Sequence, residues 1–186
     1  MLEKLLKWDR ETFVYLNSLG IEQYDSFWST ITAITTWIPL YLLFVFLFFY
    51  KSKFREGLKK TVTFIALAVF IILATDLTKN CVARLRPNND IEINTLIRIL
   101  KSPTDYSFFS GHAASSFSIT LLIFLMLRRK YKWAGLFFIW PILFSTSRIY
   151  VGVHFPLDII VGVLVGTFSG LLFYLLYQKF LVDKFV

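Results

Sequence analysis

The sequence predicts an all-α fold, a polytopic bundle of transmembrane helices, on three observations. Of its 186 residues 56% are apolar and only 17% charged, against about 45–50% and roughly 25% in a soluble domain. Five stretches approach the run of about 20 mostly apolar residues that a helix needs to cross the hydrocarbon core. Finally, no repeat, low-complexity tract or linker divides the chain, so one membrane-embedded domain over 1–186 is expected.

In chain order, Leu2, Leu5, Leu6, Phe13 and Leu16 recur at helical spacing among Glu3, Lys4, Lys7, Asp9, Arg10 and Glu11. This pattern suits a helix lying in the membrane interface, with a sixth span as the alternative. A signal peptide is not expected, because the basic start, apolar centre and small-residue cleavage site are missing. The five spans are expected at 27–50, 60–79, 112–127, 133–147 and 156–177, the third and fourth being short. The last carries Gly162, Gly166 and Gly170 on one face, a spacing that lets a neighbouring helix come close. Packing within the bundle is the expectation there, rather than dimerisation. The single Cys81 excludes an internal disulfide and is read as a small packing residue, and no Cys/His cluster has zinc spacing.

The net charge of +8 would suggest a nucleic-acid partner in a soluble protein, but here it divides by side. Five spans put Lys51, Lys53, Arg55, Lys59, Lys60, Arg128, Arg129, Lys130, Lys132, Lys179 and Lys184 on one side, with only Glu56 and Asp183 against them. That side carries +9 and the other −1. Positive loops face the cytoplasm. The long loop 79–110 and the turn 148–155 are therefore expected outside, and no nucleic-acid partner is expected.

Ionisable groups at helix ends in a membrane protein are candidates for function, and here they gather on the outward side. Lys79 and Arg86-Pro87 stand at the exit of the second span, and Ser110-Gly111-His112 at the entry of the third. Ser147-Arg148, His154 and Asp158 occupy the turn between the fourth and fifth. Taken singly, each has a structural reading: Lys79 and Arg86 as interfacial anchors, Asp76 as the neutraliser of Lys79, Ser-Gly as a helix cap. Together they supply three cations suited to phosphate or carboxylate oxygens and a helix start with free N–H groups where Gly lets an anion approach. Two histidines beside a phosphate can divide attack and proton transfer. Asp158, four residues after His154, can reach back to one ring nitrogen and fix which nitrogen is free.

The order Lys79-x6-Arg86-Pro87, Ser110-Gly111-His112, Ser147-Arg148-x5-His154-x3-Asp158 resembles the three-part signature of the type 2 phosphatidic acid phosphatase (PAP2) superfamily across residues 79–158. The resemblance implies that His154 is a nucleophile forming a phosphohistidine, that Asp158 orients it, and that His112 protonates the leaving group. It implies phosphate binding by Lys79, Arg86, Ser110, Gly111 and Arg148, and neither cofactor nor metal. Phe109 stands where the family usually has Pro, and Arg84 where it often has a further Arg.

The expected substrate is a membrane lipid phosphate on the outer leaflet of a bacterial inner membrane, with the undecaprenyl (polyprenyl) diphosphate carrier as the leading candidate. Phosphatidylglycerophosphate, phosphatidic acid and lipid A phosphates are the alternatives. A non-catalytic transporter or anion-binding membrane protein is the reading of a different class. Against it, the polar groups sit at helix ends, where a transporter would gather them at the bilayer midplane. A vanadate-using haloperoxidase is disfavoured by the membrane spans. The segment 93–101 is expected to pack as a loop rather than act as a lid.

Overall fold

The computed structural model describes residues 1–182, so Lys184 and Asp183 of the sidedness count lie outside the described residues. Among these the secondary structure is wholly helical. Helix α1 (Leu2–Ser18) is followed by α2 (Asp25–Ile31), α3 (Ile38–Phe49), α4 (Phe54–Val82), α5 (Gly111–Leu127), α6 (Ile139–Tyr150) and α7 (Pro156–Phe180). Short 3₁₀ turns at Glu22–Tyr24, Ile34–Trp37, Pro87–Asn89 and Lys132–Phe138 join them.

Helices lie at all five expected spans, with three differences. The second span is longer than its apolar centre, because α4 continues to Phe54 and Val82 through charged residues at both ends. The fourth gains its length from the 3₁₀ turn Lys132–Phe138 leading into α6; the steeper rise of that turn brings the pair to about 30 Å. The first is broken, since Glu22–Ile31 and Ile34–Phe49 meet at 64°. Among the described residues, only α4 and α7 are by themselves long and apolar enough to cross a membrane, or three spans if the bent pair is one. Leu42, Ile65, Leu73, Leu164 and Phe168 present the exposed apolar surface that lipid would cover.

Helix α1 is not among the spanning helices; it lies across the ends of α6 and α7. Its buried face is Asp9, Phe13 and Asn17, four residues apart, and Phe13 packs with Phe155 and Ile93. Asn17 Nδ2 donates to the carbonyls of Ile149 and Tyr150 at 3.0 and 3.2 Å, closing the C-terminus of α6. Asn17 also clamps the segment 93–101: its Nδ2 donates to the Arg98 carbonyl and its Oδ1 accepts from the Arg98 N–H. That segment is turns packed onto the bundle, as expected. Cys81 corrects the reading of it as a packing residue, because it is exposed on α4.

The core is two-layered along the bundle. Phe44, Phe48, Ile123, Phe137 and Trp140 fill the end away from His112 and His154, and Leu67, Ile71, Ala114 and Leu122 fill the middle. The closest packing is α5 against α7, at the glycine face. A Cβ at Gly162 would stand 2.7 Å from the Ser110 carbonyl, one at Gly166 2.4 Å from that of Ala114, and one at Gly170 2.6 Å from that of Ser118. The three glycines are contact points within the bundle, as their spacing predicts. Gly166→Ala should therefore lower the thermal midpoint in detergent by the equivalent of about 1–3 kcal/mol of overpacking. Gly135→Ala, with open space around it, should not; equal midpoints for the two variants would refute the close-packing account.

Candidate active site

The end of α4, the start of α5, the end of α6 and the start of α7 meet at one end of the bundle. There the predicted residues come together. Helix α4 terminates at Ala83 with φ 50°, a left-handed residue that turns the chain into the segment carrying Arg84 and Arg86. Helix α5 starts at Ser110, whose Oγ caps the N–H of Ala113 at 3.4 Å. A Cβ at Gly111 would press on Thr75 Cγ2 at 3.0 Å, so a larger residue there needs Thr75 to give way. Helix α7 starts at Pro156, and the Asp158 side chain accepts the Phe155 N–H at 3.0 Å. The Ser110 N–H donates to the Asp158 carbonyl at 3.0 Å, so the two helix starts are joined directly.

The hydrogen bonds define the tautomer of His154. Arg86 Nη1 lies 2.9 Å from His154 Nε2 and donates also to the Val153 carbonyl at 2.9 Å. A guanidinium has no acceptor, so Nε2 must be the unprotonated nitrogen. The proton is then on Nδ1, which faces Asp158 Oδ2 at 3.4 Å, a long hydrogen bond. Burial holds the His154 imidazole well below its ordinary pKa, and Arg86, Arg148 and Lys79 add to this. Its Nε2 lone pair is thereby kept free of a proton, with the Arg86 N–H bonded to it.

Three cations act on the His154 imidazole, Arg86 in contact with it and Arg148 and Lys79 near enough to disfavour its charge. Arg86 and Arg148 are buried. Arg148 Nη1 donates to Thr32 Oγ1 at 2.5 Å, and its buried Nε has no partner among the described residues. Lys79 and Arg86 are bridged by Asp105, which accepts from Lys79 Nζ and, through both oxygens, from Arg86 Nη2 at 3.0 Å. Burial alone would raise the Asp105 carboxyl, but the two cations outweigh it and hold it at about 2. Lys79 is thus paired with Asp105, not with Asp76. His112 stacks on Phe144 at 4.5 Å between ring centres, and its Nε2 is 3.3 Å from the Thr32 carbonyl. A groove of about 530 Å³ leads away from this end, lined by Ile34, Tyr41, Phe64, Ile72 and Ile119 and reaching Lys79, Asp105 and His112.

Three residues of the site escaped sequence reasoning, and a fourth, Arg84, was seen without its role. Thr32 lies in the break of the first span, where non-helical backbone can be buried in protein; a lone Thr in an apolar run carried no signal. Asp105 reads as an ordinary loop acid and Asp9 as the polar face of an amphipathic helix. Arg84 was visible only as an extra cation, and here it donates to Asp158 Oδ1 at 2.8 Å and Asp9 Oδ2 at 2.5 Å. Among the described residues no group of His, Cys, Asp and Glu is placed to hold a metal ion.

Fold and site together define a polytopic helical membrane protein with a cation-rich, histidine-bearing site at one end. Residues 57–181 match the family model described as PAP2 superfamily, and the chain belongs to that family: it is a membrane lipid phosphatase of PAP2 type. It is 33% identical over 183 residues to a lipid A 4'-phosphatase of Porphyromonas gingivalis, covering 95% of this chain and 75% of the relative. It is 37% identical over 138 residues to an undecaprenyl-diphosphatase of Sulfolobus acidocaldarius, covering 73% and 61%. The crystal structure of a PAP2 type phosphatidylglycerolphosphate phosphatase from Bacillus subtilis shares the fold with a TM-score of 0.76 at 21% identity, over 98% of this chain and 90% of that one.

Thr32 provides a check on the geometry. Thr32→Val removes the hydroxyl acceptor of buried Arg148, a loss of about 1–3 kcal/mol or more for a charged donor. A lower thermal midpoint and slower lipid phosphate hydrolysis are expected, with Thr32→Ser close to wild type. Indistinguishable Val and Ser variants would show that the hydroxyl is idle.

Proposed function

We propose that His154 is the nucleophile of a phosphohistidine mechanism acting on a lipid phosphate or diphosphate. The observation that carries this reading is the His154 ring held between Arg86 at Nε2 and Asp158 at Nδ1, among cations. Phosphate, carrying more charge than one carboxylate, displaces Asp105 from Lys79 and Arg86 and takes up the unpartnered donor of Arg148. Ser110 and Gly111 at the start of α5 add backbone N–H groups and the positive end of the helix. Arg86 turns its N–H from Nε2 to the phosphate, Nε2 attacks phosphorus as the bond to the lipid oxygen breaks, and a protonated His112 gives its proton to that oxygen. Water, giving its proton to His112, next attacks phosphorus; the N–P bond breaks and inorganic phosphate leaves. Asp158 keeps the ring aligned and stabilises the cation that His154 becomes. No step calls for a metal or cofactor.

The groove meets the phosphate end on one side and bilayer-facing Ile34 and Ile72 on the other. It suits a substrate with one long apolar chain, and this supports the polyprenyl diphosphate carrier of a bacterial envelope. Lipid A 4'-phosphate is the second reading, favoured by the name of a relative that matches 95% of this chain. Purified protein should release phosphate from such lipids in the presence of EDTA, and His154→Ala should lower kcat by at least a thousandfold. The preferred lipid of a panel holding polyprenyl diphosphate, lipid A, phosphatidylglycerophosphate and phosphatidic acid identifies the substrate. A fully active His154→Ala protein would overturn the mechanism.

The site end is assigned to the outer face of the cytoplasmic membrane. Lys51, Lys53, Arg55 and Arg128–Lys130 cluster at the opposite end, where Lys130 Nζ donates to the carbonyls of Tyr50 and Lys51, and basic ends face inward. In a Cys81→Ser background, Ile91→Cys, at a position 87% exposed, should be labelled in intact cells by a thiol reagent that cannot cross membranes. Labelling only after permeabilisation would invert the orientation.

A further inference from the structure

Asp158 can orient His154 only if something holds Asp158. Its carboxyl is fully buried, and its two oxygens face different partners. Oδ2 meets His154 Nδ1 and the Phe155 N–H, while Oδ1 accepts from Arg84 Nη1 at 2.8 Å. The other arm of the same guanidinium, Nη2, donates to Asp9 Oδ2 at 2.5 Å. The plane of Arg84 lies over the Phe155 ring, with Cζ 4.1 Å from its centre, and Phe155 is edge-on to Phe13 at 5.3 Å. The second oxygen of Asp9 accepts the Leu157 N–H at 2.8 Å, an N–H in the first turn of α7 that has no partner within the helix. Asp9 is also fully buried. A carboxylate on α1 thus caps α7 from outside and anchors the arginine that holds the carboxylate behind His154.

We propose that Asp9 and Arg84 are positioning residues for the phosphatase reaction, forming an outer relay through which helix α1 fixes the Asp158 carboxylate against His154. The proposal rests on the reading of His154 as nucleophile. Two carboxylates share one guanidinium, so the trio carries a surplus negative charge beside the imidazole. That surplus favours the transient positive charge on His154 when Nε2 bonds to phosphorus. Without Asp9, Arg84 has Asp158 to itself, and the hold of Asp158 on Nδ1–H weakens. Lys79, Arg86 and Arg148 are outside the relay, so binding of the phosphate should survive its loss.

The substitutions separate positioning from structure. Asp9→Asn keeps an oxygen for the Leu157 N–H and removes the charge next to Arg84. Arg84→Ala leaves a space that a free guanidinium ion can fill, reached from a cavity of about 940 Å³ lined by Leu6, Arg10, Leu85 and Phe155. With a lipid phosphate in detergent, kcat should fall about tenfold to a hundredfold in each variant, while KM stays within about twofold of wild type, an order-of-magnitude expectation for an untouched cradle. Millimolar guanidinium chloride should restore several-fold of the lost kcat to Arg84→Ala and none to Asp9→Asn. Wild-type kcat in both variants overturns the relay, and so does a loss of activity that follows the loss of folded protein with no rescue. His154→Ala assayed alongside separates the two readings. If it is inactive while Asp9→Asn is unimpaired, only the relay fails; if it is active, the mechanism beneath the relay fails.

Discussion

The site depends on the clasp between α5 and α7. A single backbone hydrogen bond, Ser110 N–H to the Asp158 carbonyl, sets the two helix starts level, and glycines at every fourth position of α7 hold the helices at backbone distance along their length. The start of α5 brings Ser110, Gly111 and His112; the start of α7 brings Asp158, and its lead-in brings His154. Neither group is complete without the other. A side chain on the α7 face would separate them before it affected any charged residue, so the small residues are as much a part of the site as the histidines. This is why packing and chemistry share one stretch of sequence.

The second constraint is charge balance in a place with little water. Arg84, Arg86 and Arg148 are brought together with Lys79 and two histidines, and such a cluster is tolerated only if each cation finds acceptors. The structure supplies them from segments far away in sequence: Asp105 to Lys79 and Arg86, Asp9 and Asp158 to Arg84, the Thr32 hydroxyl to Arg148. These partners differ in kind. Asp105 is half exposed on a loop and can be exchanged for another anion, whereas Asp9 and Asp158 are sealed in. In the proposed mechanism the first sits where phosphate goes and the second pair stays in place throughout.

Much of this was legible in the sequence because it is written in local pattern. Apolar runs located the five helical stretches of the bundle, and the signature residues of 79–158 lie at one end of it. What was not legible is tertiary. The break at Thr32 falls inside a continuous apolar run, where hydropathy cannot distinguish a straight helix from two joined by a 3₁₀ turn. Asp9 belongs to a helix whose polar residues look solvent-facing until α6 and α7 are placed beneath it. Asp105 and Arg84 make contacts 26 and 75 residues away, beyond any periodicity. Cys81 was misread because a small residue near the end of a span can face either the bundle or the lipid, and one position does not carry the phase.

The division between phosphate grip and groove bears on why such a signature serves several lipids. In the proposed mechanism the cationic end takes the oxygens on phosphorus, which all lipid phosphates share. The groove is lined by Ile34, Tyr41, Phe64, Ile72 and Ile119, and apolar contacts discriminate weakly, at about 1–3 kcal/mol per methylene. Tail length alone therefore cannot give strong selectivity. Strong selectivity needs polar groups whose partners are missing in the wrong substrate. Along the groove such groups are Thr75 and Asp76 of α4, Ser115 of α5 and Asp105 of the loop between them. In the proposed reading a chain can thus keep the same phosphate chemistry and change its lipid by altering these lining positions, while the pair of His154 and Asp158 stays unaltered.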